Sequence, residues 1–313
     1  GPLIGGWLAT FVHWRAIFYV NVPIGLLALL LSVRYIPLDQ PSGRSERFDL
    51  AGATIYVLGL VGVLLALNQG HAWGWGSAPV LGSLVLGLLL LFSFAQLEMR
   101  LRSPMLDFAL FRRRAFSAPV LSAVLNYMGV SSTFFLMPFY LIQGRGLSPA
   151  QAGLVLTVQP IVMAITAASS GALSDRIGTR RPATLGMLVL AGGLFLLSRL
   201  DQATPLLYVA ASLAVVGLGI GLFTSPNNSA VMSAAPDRQR GVAAAILSTA
   251  RTLGNTLGIG MAGAIFSTIV ALAPSGDTRA IISAVSSGLL AAGGIALLGV
   301  IASASRPSSA QRA

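Results

Sequence analysis

The 313-residue sequence contains no cysteine, no lysine and only nine acidic residues. Without cysteine, disulfides and thiolate metal sites are excluded. Charged residues make up 9% of the chain, whereas a soluble domain carries about 25%. Hydrophobic residues make up 55%. A single soluble core of this length cannot hide so much apolar surface, so the composition predicts a polytopic, all-α membrane protein.

The few acidic residues avoid the apolar runs. They are Asp39, Glu46, Asp49, Glu98, Asp107, Asp175, Asp201, Asp237 and Asp277. A proton-coupled carrier normally needs a titratable group within the membrane, most simply a carboxylate. Either that carboxylate lies on helices that these residues do not include, or coupling uses another group. A site for cationic drugs built from acidic side chains is not supported.

Enzyme and nucleotide-binding patterns are also missing from the sequence. It contains no Ser-His-Asp set, no cluster of metal-ligating residues and no phosphate-binding loop. The Gly-x-Gly-x-Gly run at 217–221 lies within apolar sequence, which disfavours a dinucleotide site. We therefore expect no enzyme activity, no ATP-driven transport within this chain and no cofactor.

The net charge of +11 comes from 20 arginines, which lie almost entirely between the apolar runs. This distribution is the positive-inside pattern of membrane proteins and not a nucleic-acid-binding stripe. If the loop after the first run is cytoplasmic, the cytoplasmic segments hold fifteen arginines and the outer loops four, with Arg251 alone inside a run. The pattern predicts a cytoplasmic C-terminus.

Nine apolar runs are near the roughly 20 residues that a helix needs to cross a bilayer. They lie at 16–34, 50–67, 79–97, 117–142, 151–173, 182–199, 205–226, 241–271 and 281–302.

Two motifs occur together in the first 25 residues. Gly1, Pro2, Gly5 and Gly6 form Gly-Pro-x-x-Gly-Gly, and residues 14–25 read Trp-Arg-x-Ile-Phe-x-x-Asn-x-Pro-Ile-Gly. Together they resemble the end of helix 5 and the start of helix 6 in fourteen-helix drug:proton antiporters, the EmrB/QacA-type branch of the major facilitator superfamily. In that family the glycine motif would shape a helix needed for antiport.

The resemblance implies a partial major facilitator fold. Residues 1–49 would end the N-terminal transmembrane bundle, 50–115 would form two linker helices with a cytoplasmic connection, and 116–313 would form the six-helix C-terminal bundle. The sequence opens inside a motif and has no initiator Met, so the expectation is an N-terminally truncated chain.

A third motif, Gly-Ala-Leu-Ser-Asp-Arg-Ile-Gly-Thr-Arg-Arg at 171–181, resembles a cytoplasmic loop of the same superfamily. Glycines permit tight turns, and Asp175 can accept hydrogen bonds from arginine or from the next helix N-terminus. The predicted cytoplasmic latch consists of Gly171, Asp175, Arg176, Gly178, Arg180 and Arg181. The plainer alternative is a positive-inside loop with one local ion pair.

Polar and aromatic residues at membrane depth predict a substrate pocket or coupling site. The candidates are Asn126, Tyr127, Phe135, Gln159, Arg251 and Asn255. Aromatic walls with few polar groups suit bulky amphipathic ligands, although each residue alone is more often ordinary packing. An arginine within the membrane must face protein or water; alternatively, the span starts near Ile246 and Arg251 snorkels. The run at 251–258 also resembles helix 13 of the family.

The resemblance implies a secondary transporter that exports drugs or small amphipathic molecules by proton antiport with alternating access. Its location would be the bacterial inner membrane, and its partners would be the substrate, protons, the lipid bilayer and a periplasmic adaptor protein, without nucleic acid. The alternatives are a dedicated exporter of one metabolite or antibiotic, a non-transporting membrane sensor and a truncated inactive product.

Overall fold

The computed structural model describes residues 15–19, 21–35, 50–74, 76–99, 109–236, 239–274 and 277–306. Within these ranges the chain is helical and contains no strand. The glycine motif of Gly1, Pro2, Gly5 and Gly6 lies outside the described residues.

The described helices are numbered here in chain order. They are α1 (Ala16–Tyr19), α2 (Asn21–Tyr35), α3 (Leu50–Trp73), α4 (Ala78–Glu98), α5 (Ala109–Arg112), α6 (Arg114–Pro138, continued by a π-helical turn at Phe139–Gly144), α7 (Pro149–Ile177), α8 (Arg180–Leu197), α9 (Leu206–Ala234), α10 (Arg240–Ala271) and α11 (Thr278–Ala304).

Seven helices of the described residues are long and apolar enough to cross a membrane, namely α4, α6 with its π-helical turn, and α7 to α11. Two apolar helical segments are shorter: Asn21–Tyr35, which is α2, and Gly52–Ala66, which lies within α3. The predicted all-α polytopic class is confirmed. Several helices extend beyond the predicted runs: the run at 205–226 becomes Leu206–Ala234, because helical hydrogen bonding continues past Asn227 and Asn228 where the apolar pattern stops.

Helices α6 to α11 pack into one bundle. Helix α9 packs mainly against α7 and α8, while α6 packs against α10 and α11, and α11 also contacts α8. Large apolar side chains that are fully buried fill the space between them, among them Met137, Leu190, Leu213 and Leu289. This bundle positions the candidate site described below.

The hairpin of α3 and α4 attaches to the bundle along one helix. The two helices pack against each other, and α3 contacts α10. The Tyr56 hydroxyl lies 2.9 Å from the Thr249 hydroxyl, and the Tyr56 ring lies 5.2 Å from the Phe94 ring. In contrast, no residue of α2 is buried. The division at 1–49, 50–115 and 116–313 stays a prediction.

Glycines bring the backbones of α8 and α9 together. A methyl group on Gly219 would overlap the backbone of Leu190, and one on Gly186 would lie 2.6 Å from the backbone nitrogen of Phe223. Helices in lipid associate through such close van der Waals packing, because no hydrophobic drive acts between them there. The α8–α9 contact therefore depends on the absence of side chains at these positions.

This contact can be tested by adding one methyl group. Gly219→Ala should lower the free energy of unfolding by about 1–3 kcal/mol, since overpacking forces backbone shifts. The matched control is Gly192→Ala on α8, where a methyl group meets nothing within 4 Å; this change should be neutral or raise stability by about 0.5–1 kcal/mol. Thermal unfolding midpoints of the purified proteins in detergent compare the two, and equal midpoints would contradict the close contact.

Candidate functional site

A cavity of about 560 Å³ lies between α6 and α10. Its lining combines aromatic, aliphatic and polar side chains: Tyr127, Phe134, Phe135, Val130, Ile259, Ser131 and Asn255. The lining residues of α6 recur three, four, seven and eight positions after Tyr127, so they share one face of the helix. Two residues four positions apart complete the wall from α10.

The two helices that line the cavity approach each other closely at two glycines of α10. A methyl group on Gly254 would lie 2.5 Å from the Val124 carbonyl oxygen, and one on Gly258 would overlap Met128. The Ser132 hydroxyl donates to the Gly258 carbonyl at 3.1 Å and so joins the two helices. Asn255 directly follows Gly254, and this contact holds it at the edge of the cavity.

The polar groups of the cavity differ in their bonding. The Ser131 hydroxyl donates to the Tyr127 carbonyl within its own helix at 2.7 Å. The Asn255 amide makes no hydrogen bond to another described residue. Asn255 therefore presents both a donor and an acceptor that a bound molecule could use.

Arg251 borders the cavity one helical turn before Asn255. Its side chain is exposed, and its guanidinium carbon lies 5.1 Å from the centre of the Tyr127 ring. This geometry is a cation–π interaction. Neither α6 nor α10 contains an aspartate or glutamate, so the charge that these two helices bring to the cavity is positive.

An aromatic stack extends the wall beyond Phe135. The rings of Phe135 and Phe139 lie 5.3 Å apart, and those of Phe139 and Phe266 lie 4.6 Å apart. Phe139 begins the π-helical turn that follows Pro138. Phe139 stands four residues after Phe135, so both rings lie on the side of α6 that faces α10.

The structure brings together four of the six predicted pocket residues. Tyr127, Phe135 and Asn255 line the cavity, and Arg251 borders it. Asn126 is instead buried beside α8, where its amide donates to the Met187 sulfur at 3.3 Å. Gln159 is buried on α7, with Gly217 of α9 against its backbone.

Asn126 and Gln159 were predicted from their depth in the membrane. Which residues line the cavity is decided instead by the face of the helix on which they lie. Consecutive residues of an α-helix point about 100° apart, so Asn126 cannot share the face of Tyr127. Three further lining residues, Val130, Ser131 and Ile259, were not among the six predicted from the sequence. Helical spacing from Tyr127 and Asn255 is the signal that could have identified them.

The 171–181 motif forms the end of α7 and the start of α8. Gly178 joins the helices with φ of +81°, a conformation that favours glycine. Gly171 faces Ser225 of α9, and the Ser170 hydroxyl donates to the Leu222 carbonyl at 2.9 Å. The motif therefore fixes α7 against α9 at this end of the bundle, which we call the Gly178 end.

The charged members of the motif point to solvent. Asp175, Arg176, Arg180 and Arg181 are all exposed. Among the described residues, Asp175 makes neither the hydrogen bond to arginine nor the one to the α8 N-terminus that the sequence predicts. Its carboxylate is thus available to a group from elsewhere.

A buried arginine ties α11 to α9 at the Gly178 end. Arg306 is only 4% exposed, and its Nη2 donates to the Asn227 Oδ1 at 2.5 Å. Its Nε and Nη1 find no acceptor among the described residues. Burial lowers the pKa of Arg306 to about 10, so it stays protonated at neutral pH. In the sequence, Arg306 is one of the fifteen arginines of the predicted cytoplasmic segments, and nothing there marks it as buried.

The opposite end, which we call the Arg145 end, is held by a polar cluster. The buried Tyr140 hydroxyl donates to the Asp201 carbonyl at 2.8 Å, and Arg145 donates to the Tyr140 hydroxyl and to the Thr204 carbonyl. The Asp201 carboxylate accepts hydrogen bonds from the Thr204 hydroxyl and the Ala203 N–H, both at 2.8 Å. The Thr204 hydrogen bond, with Ala203 and the charge of Arg145, lowers the pKa of Asp201.

Comparison with known proteins gives one family and a consistent set of relatives. A family model, the Major Facilitator Superfamily, matches residues 1–259. The chain is 33% identical over 266 residues to multidrug transporter protein MdtP of Bacillus subtilis (strain 168), covering 85% of the chain and 49% of MdtP. It is 31% identical over 266 residues to riboflavin transporter RibZ of Clostridioides difficile (strain 630), covering 85% and 57%.

A third relative is puromycin resistance protein pur8 of Streptomyces alboniger. It is 33% identical over 267 residues, with 83% of the chain and 52% of that protein covered. The chain therefore spans about half the length of the curated relatives it matches.

The polar cluster at the Arg145 end predicts a pH-dependent stability. A lowered pKa means that Asp201 stabilises the fold fully above its unfolded pKa, about 3.9, and that this contribution is lost as the pH falls through the lower, folded pKa. Asp201→Asn should therefore lower the thermal midpoint at pH 7, and its difference from the unsubstituted protein should shrink as the pH falls below the unfolded pKa. A midpoint difference that stays constant from pH 7 to pH 3 would contradict this role.

The Arg306–Asn227 contact predicts strong coupling in a double-mutant cycle. Asn227→Ala should be destabilising, because it leaves a buried guanidinium without its acceptor; a hydrogen bond to a charged group is worth about 1.5–3 kcal/mol. Adding Arg306→Met should recover part of that loss, giving a coupling energy of about 0.5–3 kcal/mol between contacting residues. Chemical denaturation of the four proteins measures the cycle, and strictly additive changes would refute the contact.

Proposed function

Because the chain belongs to the Major Facilitator Superfamily, we propose that it forms part of a secondary transporter that exports drugs or small amphipathic molecules. The observation that carries this proposal is the cavity between α6 and α10, whose lining is mainly aromatic and aliphatic with a few polar groups. Ligand sites commonly occupy about 300–1,000 Å³ with this kind of lining. The cavity therefore has a size and surface suited to such a molecule.

One relative, named as a puromycin resistance protein, favours export as the direction of transport, because resistance implies removal of the compound from the cell. The names of the relatives describe a multidrug transporter, a riboflavin transporter and a puromycin resistance protein. Two of these names refer to a single compound, which favours a dedicated exporter of one metabolite or antibiotic as the second candidate. Transport of a chemically mixed panel of compounds by the native protein separates the two candidates.

The proposed mechanism is proton antiport with alternating access, as in the fourteen-helix EmrB/QacA-type branch. In such carriers a bundle rocks around a central site. The six packed helices α6 to α11 would be one moving body, and α3 with α4 would be linker helices beside it. The proton-binding carboxylate would come from outside α6 and α10, because these two helices contain no acidic residue.

The proposed orientation places the Gly178 end and the C-terminus in the cytoplasm of a bacterial inner membrane, with a periplasmic adaptor as a predicted partner. The excess of arginine in these segments supports this orientation. The exposed carboxylate of Asp175 would then form the cytoplasmic latch by pairing with a group on the other moving body in one state and releasing it in the other.

The latch can be tested with one substitution that removes a charge. In the native transporter, Asp175→Asn should slow substrate efflux at least tenfold, equivalent to about 1.4 kcal/mol, at an unchanged level in the membrane. Efflux is measured from proteoliposomes under an imposed proton gradient. Asp201→Asn makes the same chemical change at the Arg145 end and should leave the rate near that of the unsubstituted protein.

Two results would count against these proposals separately. If Asp175→Asn transports at the normal rate, the latch is wrong while export stands. If the native protein moves no amphipathic compound from a broad panel under a proton gradient, the proposed function itself is wrong.

A further inference from the structure

The charge beside the cavity selects among amphipathic ligands. Arg251 holds a permanent positive charge next to Tyr127, and the sequences of α6 and α10 supply no acidic residue to neutralise it. Polar groups elsewhere on this wall, Ser131 and Asn255, are neutral. The wall that these two helices build is therefore apolar over most of its area and electropositive at one edge.

The geometry of Arg251 leaves its hydrogen-bonding edge free. The guanidinium lies against the face of Tyr127, and none of its N–H groups donates to another described residue. A planar guanidinium carries five donors in a fork that matches a carboxylate or a similar oxyanion. Stacking on a ring therefore leaves that fork able to bind an anionic group at the cavity edge.

The same contact reduces the attraction of this wall for cations. Aromatic rings attract cations through their faces, but Arg251 already covers the face of Tyr127. A cationic ligand at this edge would meet a like charge without a carboxylate from α6 or α10 to offset the repulsion.

Asn255 offers a second polar group to a ligand, beside the guanidinium of Arg251. It lies four residues after Arg251, so both side chains project from the same face of α10. Phe134 and Phe135 lie on the opposite helix of the cavity. One molecule could thus contact a cation, an amide and two aromatic rings at once.

We propose that the wall of α6 and α10 binds an apolar, ring-containing ligand that carries an anionic group. Arg251 pairs with the anion, Asn255 hydrogen-bonds a neighbouring polar atom, and Phe134 and Phe135 contact the ring body. This inference rests on the proposed function, since it names the class of molecule that the same cavity takes.

Two fluorescent dyes with the same three-ring core but opposite charge test the inference. Fluorescein is anionic at pH 8, and rhodamine 6G is cationic. Binding of each dye to the detergent-purified native transporter is measured by fluorescence anisotropy, without a gradient. Fluorescein should bind the unsubstituted protein more tightly than rhodamine 6G does.

Arg251 variants connect the dye preference to this residue. Arg251→Gln should weaken fluorescein binding at least tenfold and leave rhodamine 6G binding unchanged or tighter. Arg251→Lys should restore part of the loss, because it keeps the charge without the planar fork. Arg199→Gln, which removes an exposed arginine at the Arg145 end, is the matched control and should change neither dye.

The inference is overturned if rhodamine 6G binds as tightly as fluorescein, or if Arg251→Gln leaves fluorescein binding intact. An efflux assay with the same dyes distinguishes this failure from that of the proposed function. Arg251-dependent fluorescein binding, together with no transport of either dye or of the broad panel, would uphold the ligand class and refute export. Transport of rhodamine 6G, together with fluorescein binding that does not depend on Arg251, would uphold export and refute the ligand class.

Discussion

The contact of helix backbones through glycine is the constraint on which the rest of this structure depends. In a bilayer, apolar side chains gain little by leaving lipid for protein, so helices hold together by close packing and interhelical hydrogen bonds. Gly186 and Gly219 provide this packing between α8 and α9, and Gly254 and Gly258 provide it between α6 and α10. The cavity lies beside this second pair, and Asn255 and Ile259, each next to one of these glycines, form its α10 side.

Polar ties at the two ends complement the apolar packing of the middle. At the Gly178 end a buried guanidinium joins α11 to α9, and the Thr184 and Ser303 hydroxyls lie 3.1 Å apart between α8 and α11. At the Arg145 end the Tyr140 hydroxyl joins α6 to the α8–α9 connection. Since these ties lie within the bundle, they favour motion of its six helices as one body.

Most of the fold could be predicted from the sequence, and about half of the site. Apolar runs located the long helices, because only helices satisfy the backbone in lipid. Tyr127 and Asn255 stood out because polar groups at that depth are rare. Asn126 could not be separated from Tyr127 by depth, since the angle about the helix axis decides which one faces the cavity. Arg306 was indistinguishable from the loop arginines, because only tertiary packing buries it.

The π-helical turn at Phe139–Gly144 has a consequence for how this protein tolerates change in length. The turn ends α6 at Gly144, and the chain then enters the connection to α7. The cavity-lining residues of α6 all precede the turn, whereas Tyr140 lies inside it and Arg145 directly follows it. A change of one residue in the length of the turn would therefore displace the polar cluster at the Arg145 end and leave the spacing from Tyr127 to Phe135 unchanged. The cavity is in this way separated along the helix from the segment whose length matters most for the contact between Tyr140 and the α8–α9 connection.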